Sequence, residues 1–316
     1  MPASKRKIPR TTGRRATSSA GNAPAAEVAA LAAQGRHREA IDAATAGLSK
    51  AGRNAERIDL LDLRAESRIA LGEVIEASQD AGAMLAAARA ARKPALVAQA
   101  LSRRTLVEIR AGRPRDAVST GRDALQAAER SGDAFCKAMA MLRLGEAEFR
   151  SGDASAGHRL SAQAAREFKA LANTRYEGHA HWGCSASLSR LGKSDAADRA
   201  ARKAVSLARE CGDLAGLGNA LNMLTFHEPD IAQRMRRLKE SRAAFEAAGY
   251  VERIAVIAHN VAIIYDDMGL YGRARRWLLE TRGAYLRAGA MGNGPALTSL
   301  ILGWVEHRLG NDASAK

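Results

Sequence analysis

The sequence predicts an all-α solenoid of antiparallel helical hairpins, and three observations carry that prediction. A glycine followed five positions later by a small residue recurs along the chain: Gly35 with Ala40, Gly72 with Ala77, Gly112 with Ala117, Gly152 with Gly157, Gly192 with Ala197, Gly269 with Ala274 and Gly310 with Ala315. The steps from Gly72 to Gly112, Gly152 and Gly192 are 40 residues each. Self-similarity at that period marks solenoids, propellers and arrays. Helical patterns flank each glycine, as in Val97 to Ala111 before Gly112 and Arg115 to Arg130 after it, and they select the solenoid.

Each glycine has a mechanical reading. A left-handed residue ends a helix most cheaply when it has no Cβ, so Gly112 reads as the stop of the first helix of its unit. The small residue five later lies one turn into the second helix, where a larger side chain would push the pair apart. A second small position falls seven residues before the glycine: Ala65, Thr105, Gly145, Ser185, Ala262 and Gly303.

These residues resemble the tetratricopeptide repeat in its longer, roughly 40-residue bacterial form. The matching features are the small residue of the first helix, the turn glycine, the alanine five later, and alanine twelve later at Ala124, Ala164 and Ala204. The usual aromatic positions hold mostly Ala, Leu or Met, and Arg64 and Arg104 stand where an apolar residue is expected. The resemblance spans residues 24 to 316 and implies a right-handed superhelix with the first helix of each hairpin on its concave side.

In order, residues 1–22 form a basic tail, with Lys5, Arg6, Lys7, Arg10, Arg14 and Arg15 and no acid. Almost without large apolar groups, it cannot offset the entropy of ordering, so disorder is expected. No apolar run of signal-peptide length follows. Residues 23–316 divide into hairpins at 24–54, 55–94, 95–133, 134–174, 175–213, 214–250 and 251–292, with a truncated eighth at 293–316. Ser131-Gly132-Asp133 and Cys211-Gly212-Asp213 read as a stop followed by a helix cap. In the sixth unit Pro229 takes over the stop and Asp230 the cap. The eighth starts near Pro295 and carries Leu297, Leu300, Ile301 and Trp304, a face that a further stretch of chain or self-association is expected to cover. All the aromatic residues lie at or after Phe135. The first repeats are therefore expected to pack aliphatic groups alone and to fray first.

Chemistry is scarce. Gly192-Lys193-Ser194 lacks the upstream glycine and strand of a phosphate loop, since position 187 is Ser187. His179, His181 and Cys184 leave two residues on one helical face, too few for zinc. Cys136, Cys184 and Cys211 are isolated among small or apolar neighbours, which suits a reducing cytoplasm. No catalytic residue, metal or cofactor is expected. What stands out is charge: 49 Lys and Arg against 34 Asp and Glu, net +15. Arg110, Arg150 and Arg190 are 40 apart, each two before its turn glycine, with Arg103 and Arg143 two helical turns earlier. By the resemblance both rows face the groove, where they suit acidic side chains, a carboxylate terminus or phosphate. Structural arginines at a helix C-terminus are the simpler alternative. Asp266 and Asp267 at the matching place of the seventh unit predict a reversed charge further along, and Asn219, Asn222, His259 and Asn260 offer polar contacts.

The expected role is a non-catalytic, cytoplasmic protein-interaction scaffold for a protein or peptide, acidic in character, without a membrane span. The Gly218 to Leu224 stretch, the alanine-rich units and the basic arm resemble the repeat arms of bacterial class III adenylate/guanylate cyclases and of maltose-type transcriptional activators. That implies a sensor arm of a larger signalling protein. None of the cyclase metal or nucleotide residues can be matched. The alternative is a nucleic-acid-associated regulator using residues 1–21 and the basic groove.

Overall fold

The computed structural model describes residues 23–287 and 293–311. The tail 1–22 and Ala315 lie outside them. Among the described residues the chain forms fifteen helices and no strand: α1 (Ala23–Ala33), α2 (His37–Lys50), α3 (Asn54–Leu71), α4 (Val74–Ala90), α5 (Pro94–Arg110), α6 (Pro114–Ser131), α7 (Ala134–Ser151), α8 (Ala154–Ala170), α9 (Thr174–Arg190), α10 (Ser194–Cys211), α11 (Leu214–Met223), α12 (Ile231–Ala247), α13 (Val251–Asp267), α14 (Tyr271–Arg287) and α15 (Asn293–Arg308). Consecutive helices pack as antiparallel hairpins, and the first helices of neighbouring units also pack on one another from α1 through α11 (α1 on α3, α3 on α5, α5 on α7, α7 on α9, α9 on α11). This is a solenoid.

The local grammar follows the repeat. Gly72, Gly112, Gly152, Gly192, Gly269 and Gly310 all adopt positive φ, between +71° and +114°. The small partners are buried: Ala40, Ala77, Ala117 and Ala274 are 0% exposed and Ala197 1%. Gly157 shows why a side chain is excluded, for a Cβ there would lie 2.9 Å from Phe149 Cβ, 3.0 Å from the Gly145 carbonyl and 3.0 Å from Ser187 Oγ. Asp133, Asp153, Asn173 and Asp230 cap α7, α8, α9 and α12 by accepting from backbone N–H groups. Helix α11 ends at Met223, and the chain turns through Pro229 before α12. Arg64, at an expected apolar position, is held by Asp80 of α4 at 2.6 Å.

One long-range contact sets this solenoid apart from an open one. The α1–α2 turn meets the α12–α13 turn: His37 Nε2 donates to the Ala248 carbonyl at 2.9 Å, and the His37 ring stands edge-on to Tyr250 at 5.5 Å. Gly35 and Gly249, both at positive φ, let the backbones touch; a Cβ on Gly35 would lie 2.7 Å from the Ala247 carbonyl. Helix α13 also packs on α3. The superhelix therefore closes on itself after six hairpins. The first hairpin is held on both sides, which alters the expectation that the N-terminal repeats fray first. Aliphatic packing alone is the premise of that expectation, and Tyr250 supplies an aromatic partner to His37 from far along the chain.

A candidate ligand cavity inside the closed superhelix

Closure turns the concave face into a cavity of about 880 Å³, counting space shared with solvent. Much of that space is continuous with solvent, so it is an open hollow rather than a sealed chamber. Its wall comes from α3 (Glu66, Ile69), α5 (Arg103, Leu106, Arg110), α7 (Leu142, Arg143, Glu146), α9 (Arg175, Tyr176, His179, Trp182), α11 (Asn219) and α13 (Arg253), with Asp213 and Tyr250 from the preceding turns. Five arginines face three carboxylates, so the lining is basic.

The two arginine rows divide between the interior and the rim. Arg103, Arg110 and Arg143 line the cavity, as does Asn219. Arg150 and Arg190 do not. Both lie over the Phe149 ring, at 5.7 and 5.6 Å, and Arg190 is exposed. The remaining polar candidates are used elsewhere. Asn260 Nδ2 donates to Asn222 Oδ1 at 2.7 Å, and His259 Nδ1 faces Thr298 Oγ1 at 3.1 Å. Asp266 pairs with Arg308 at 2.9 Å and Asp267 is exposed, neither lining the cavity. The expected reversal of charge at that end is thus corrected: α15 takes up the Asp266 carboxylate, and the cavity acids come from Glu66, Glu146 and Asp213 instead.

Within the cavity, charges are paired across repeats. Arg103 Nε donates to Asp62 Oδ1 at 2.5 Å and Nη2 to Glu66 at 3.2 Å. Burial alone would lower the Arg103 pKa, but Asp62 and Glu66 raise it well above the ordinary value. Arg175 bridges Glu66 at 3.2 Å and Asp213 at 3.8 Å. His179 Nε2 donates to Asp213 at 2.6 Å. Against its burial, His179 and Arg175 hold the Asp213 carboxyl well below the usual range. Glu146 pairs with Arg110 at 2.9 Å and reaches Arg150 at 4.0 Å. Burial works to raise it, yet the surrounding guanidiniums of Arg110, Arg150, Arg143 and Arg253 bring it down to about 2.

Arg175, Arg253, Glu66, Glu146, Asp213 and Tyr250 are absent from the sequence-based candidates. A signal existed for the acids on α3: Asp59, Asp62 and Glu66 fall at i, i+3 and i+7, one face, about one repeat before Gln99 and Arg103. Arg253 carries no such signal, because its place depends on the closure.

Of the histidine and cysteine group weighed for metal, His179 is turned to Asp213, and burial pushes the Cys184 thiol up to about 12. Among the described residues no three His, Cys, Asp or Glu come together as a metal site, and no helix is long and apolar enough to cross a membrane.

No family model matches the chain, and no curated protein matches it in sequence. Solved structures do. A Rap protein complexed with competence and sporulation factor superposes with a TM-score of 0.70 at 15% identity, covering 84% of this chain and 75% of that one. Aspartyl phosphate phosphatase F from Bacillus subtilis gives 0.62 at 14% identity over 85% and 72%. A signal-transduction ATPase from Pyrococcus horikoshii with a tetratricopeptide repeat sensor gives 0.58 at 14%, over 92% of this chain and 49% of that one. At such identities the likeness is one of fold. The chain is a tetratricopeptide-like helical solenoid.

Proposed function

We propose that this chain is a non-catalytic binding scaffold whose central cavity takes a segment of a protein or peptide, and that it serves as the regulatory arm of a larger signalling protein such as an adenylate cyclase. The closed cavity carries the reading. It is concave, with an aromatic and aliphatic wall in Tyr176, Trp182, Leu106 and Leu142 and converging polar groups. Its excess of arginine favours an acidic segment. The similar Rap structure holds competence and sporulation factor, and the Pyrococcus horikoshii protein joins a repeat sensor to a signalling ATPase; both arrangements fit an arm that senses and transmits. The nucleic-acid alternative rests on residues 1–21, outside the described residues, and on a basic face that is enclosed rather than presented to a duplex. A second surface also fits an assembled arm: Leu297, Leu300 and Trp304 of α15 are 46%, 58% and 62% exposed and share one face.

The test is a selection of displayed peptides on the full chain, repeated with Asn219→Trp to fill the cavity. Selected peptides that lose at least tenfold in affinity for the variant support the reading. Peptides that bind both alike would remove it.

A further inference from the structure

Two guanidiniums in the cavity wall make no direct ion pair among the described residues. Arg253, in the first turn of α13, is 8% exposed, lines the cavity, and makes no hydrogen bond or ion pair among the described residues. Arg143, half-buried on α7, is in the same state. Both interact electrostatically with Arg110 and Glu146, so they border one cluster. Glu146 is already committed to Arg110 and Arg150. Four arginines (110, 143, 150 and 253) thus share the two carboxylates of Glu146 and Glu252. Buried cations elsewhere in this cavity are matched, as Arg103 is by Asp62 and Glu66. Burial, then neighbouring arginines, lowers the pKa of both Arg143 and Arg253, the opposite of the shift at Arg103. No nitrogen of either guanidinium is sealed from solvent, so an anion entering the cavity can reach both, and the partly buried setting strengthens the pairing.

We propose that Arg143 and Arg253 form a built oxyanion site that holds one carboxylate or phosphate group of the cavity's occupant. The planar fork of each guanidinium suits an oxyanion with two acceptor oxygens and offers a spherical halide no such match. The local excess of two positive charges suits a dianion. Because Arg143 belongs to the fourth hairpin and Arg253 to the seventh, the bound group ties two walls of the cavity together. As to the occupant, this inference rests on the cavity-binding reading; the anion chemistry stands apart from it.

Calorimetric titration of the full chain at low salt with inorganic phosphate and with succinate, each against chloride at equal ionic strength, tests the site. Saturable binding of phosphate or succinate is expected, weakened roughly tenfold or more by Arg253→Met and by Arg143→Met, and unchanged by Arg130→Met on the outer surface. Preference for phosphate assigns a phosphoryl-bearing occupant, and preference for succinate a carboxylate. Absence of binding beyond the chloride control, or binding indifferent to both cavity variants, overturns the site. Arg253→Met and Arg143→Met each remove a charge that lacks an ion pair, so circular dichroism should report an intact fold. Peptides that bind wild type and Arg253→Met equally sink the oxyanion site and leave the cavity reading. Phosphate binding lost in Arg253→Met, with no selected peptide competing, keeps the site and removes the peptide.

Discussion

The α3–α5 wall and the α7–α13 wall of the cavity use the same residue type to opposite ends. Between α3 and α5, Arg103 is clamped by Asp62 at 2.5 Å and Glu66 at 3.2 Å. Between α7 and α13, Arg143 and Arg253 make no ion pair among the described residues and face a cluster whose Glu146 is already taken by Arg110 and Arg150. The first wall is complete without a ligand, and the second is short of negative charge. An arginine in a groove is therefore evidence of binding only after its partners have been counted.

Removing charges one at a time should separate the walls. The largest effect is expected from Glu146→Gln, which leaves Arg110 unpaired and should cost about 3 kcal/mol at neutral pH, measured by denaturant unfolding. Because Glu146 is depressed to about 2 from an ordinary 4.5, its contribution is complete above pH 4.5 and lost as the pH falls toward 2. The variant should lose that part of the acid sensitivity. Arg103→Met, which strands Asp62, should cost about 2 to 3 kcal/mol. Arg253→Met should go the other way, raising stability by up to about 1 kcal/mol without ligand. A destabilisation equal to that of Arg103→Met would erase the contrast. The smallest effect lies at the closure. Burial lowers the His37 pKa against the pull of the Ala248 carbonyl and Glu66, so the neutral ring is favoured in the fold. Its contribution is present above the ordinary value near 6.5 and fades as the pH drops below it, by under about 1.4 kcal/mol per pH unit. Hydrogen-exchange protection factors at residues 248–250, corrected for the slower intrinsic exchange at lower pH, should fall between pH 7 and 5, and His37→Gln should flatten that response.

What the sequence revealed follows from how far each cause reaches. Gly72, Gly112 and Ala117 announce the hairpins because a stop and a close approach are decided within a dozen residues. Arg150 and Arg190 share the repeat position of Arg110, yet they sit over Phe149 at the rim while Arg110 reaches Glu146. Repeat position fixes the helix face but says nothing of what stands across from it. The pairing of Arg103 with Asp62 needs the register between neighbouring units, which the acidic face of α3 hinted at. The contact of His37 with Ala248 depends on twist summed over six hairpins, and no local pattern encodes that sum.

Closure also restricts how such a chain can change in length. An open array of hairpins tolerates the gain or loss of a unit, because each copy needs only its neighbours. Here an added or deleted 40-residue module between Gly35 and Gly249 would carry the two glycines past one another, opening the circuit and dispersing the wall that Arg143 and Arg253 share. Duplication, the usual way repeat proteins diversify, is barred from this interval and left to the segment beyond α13.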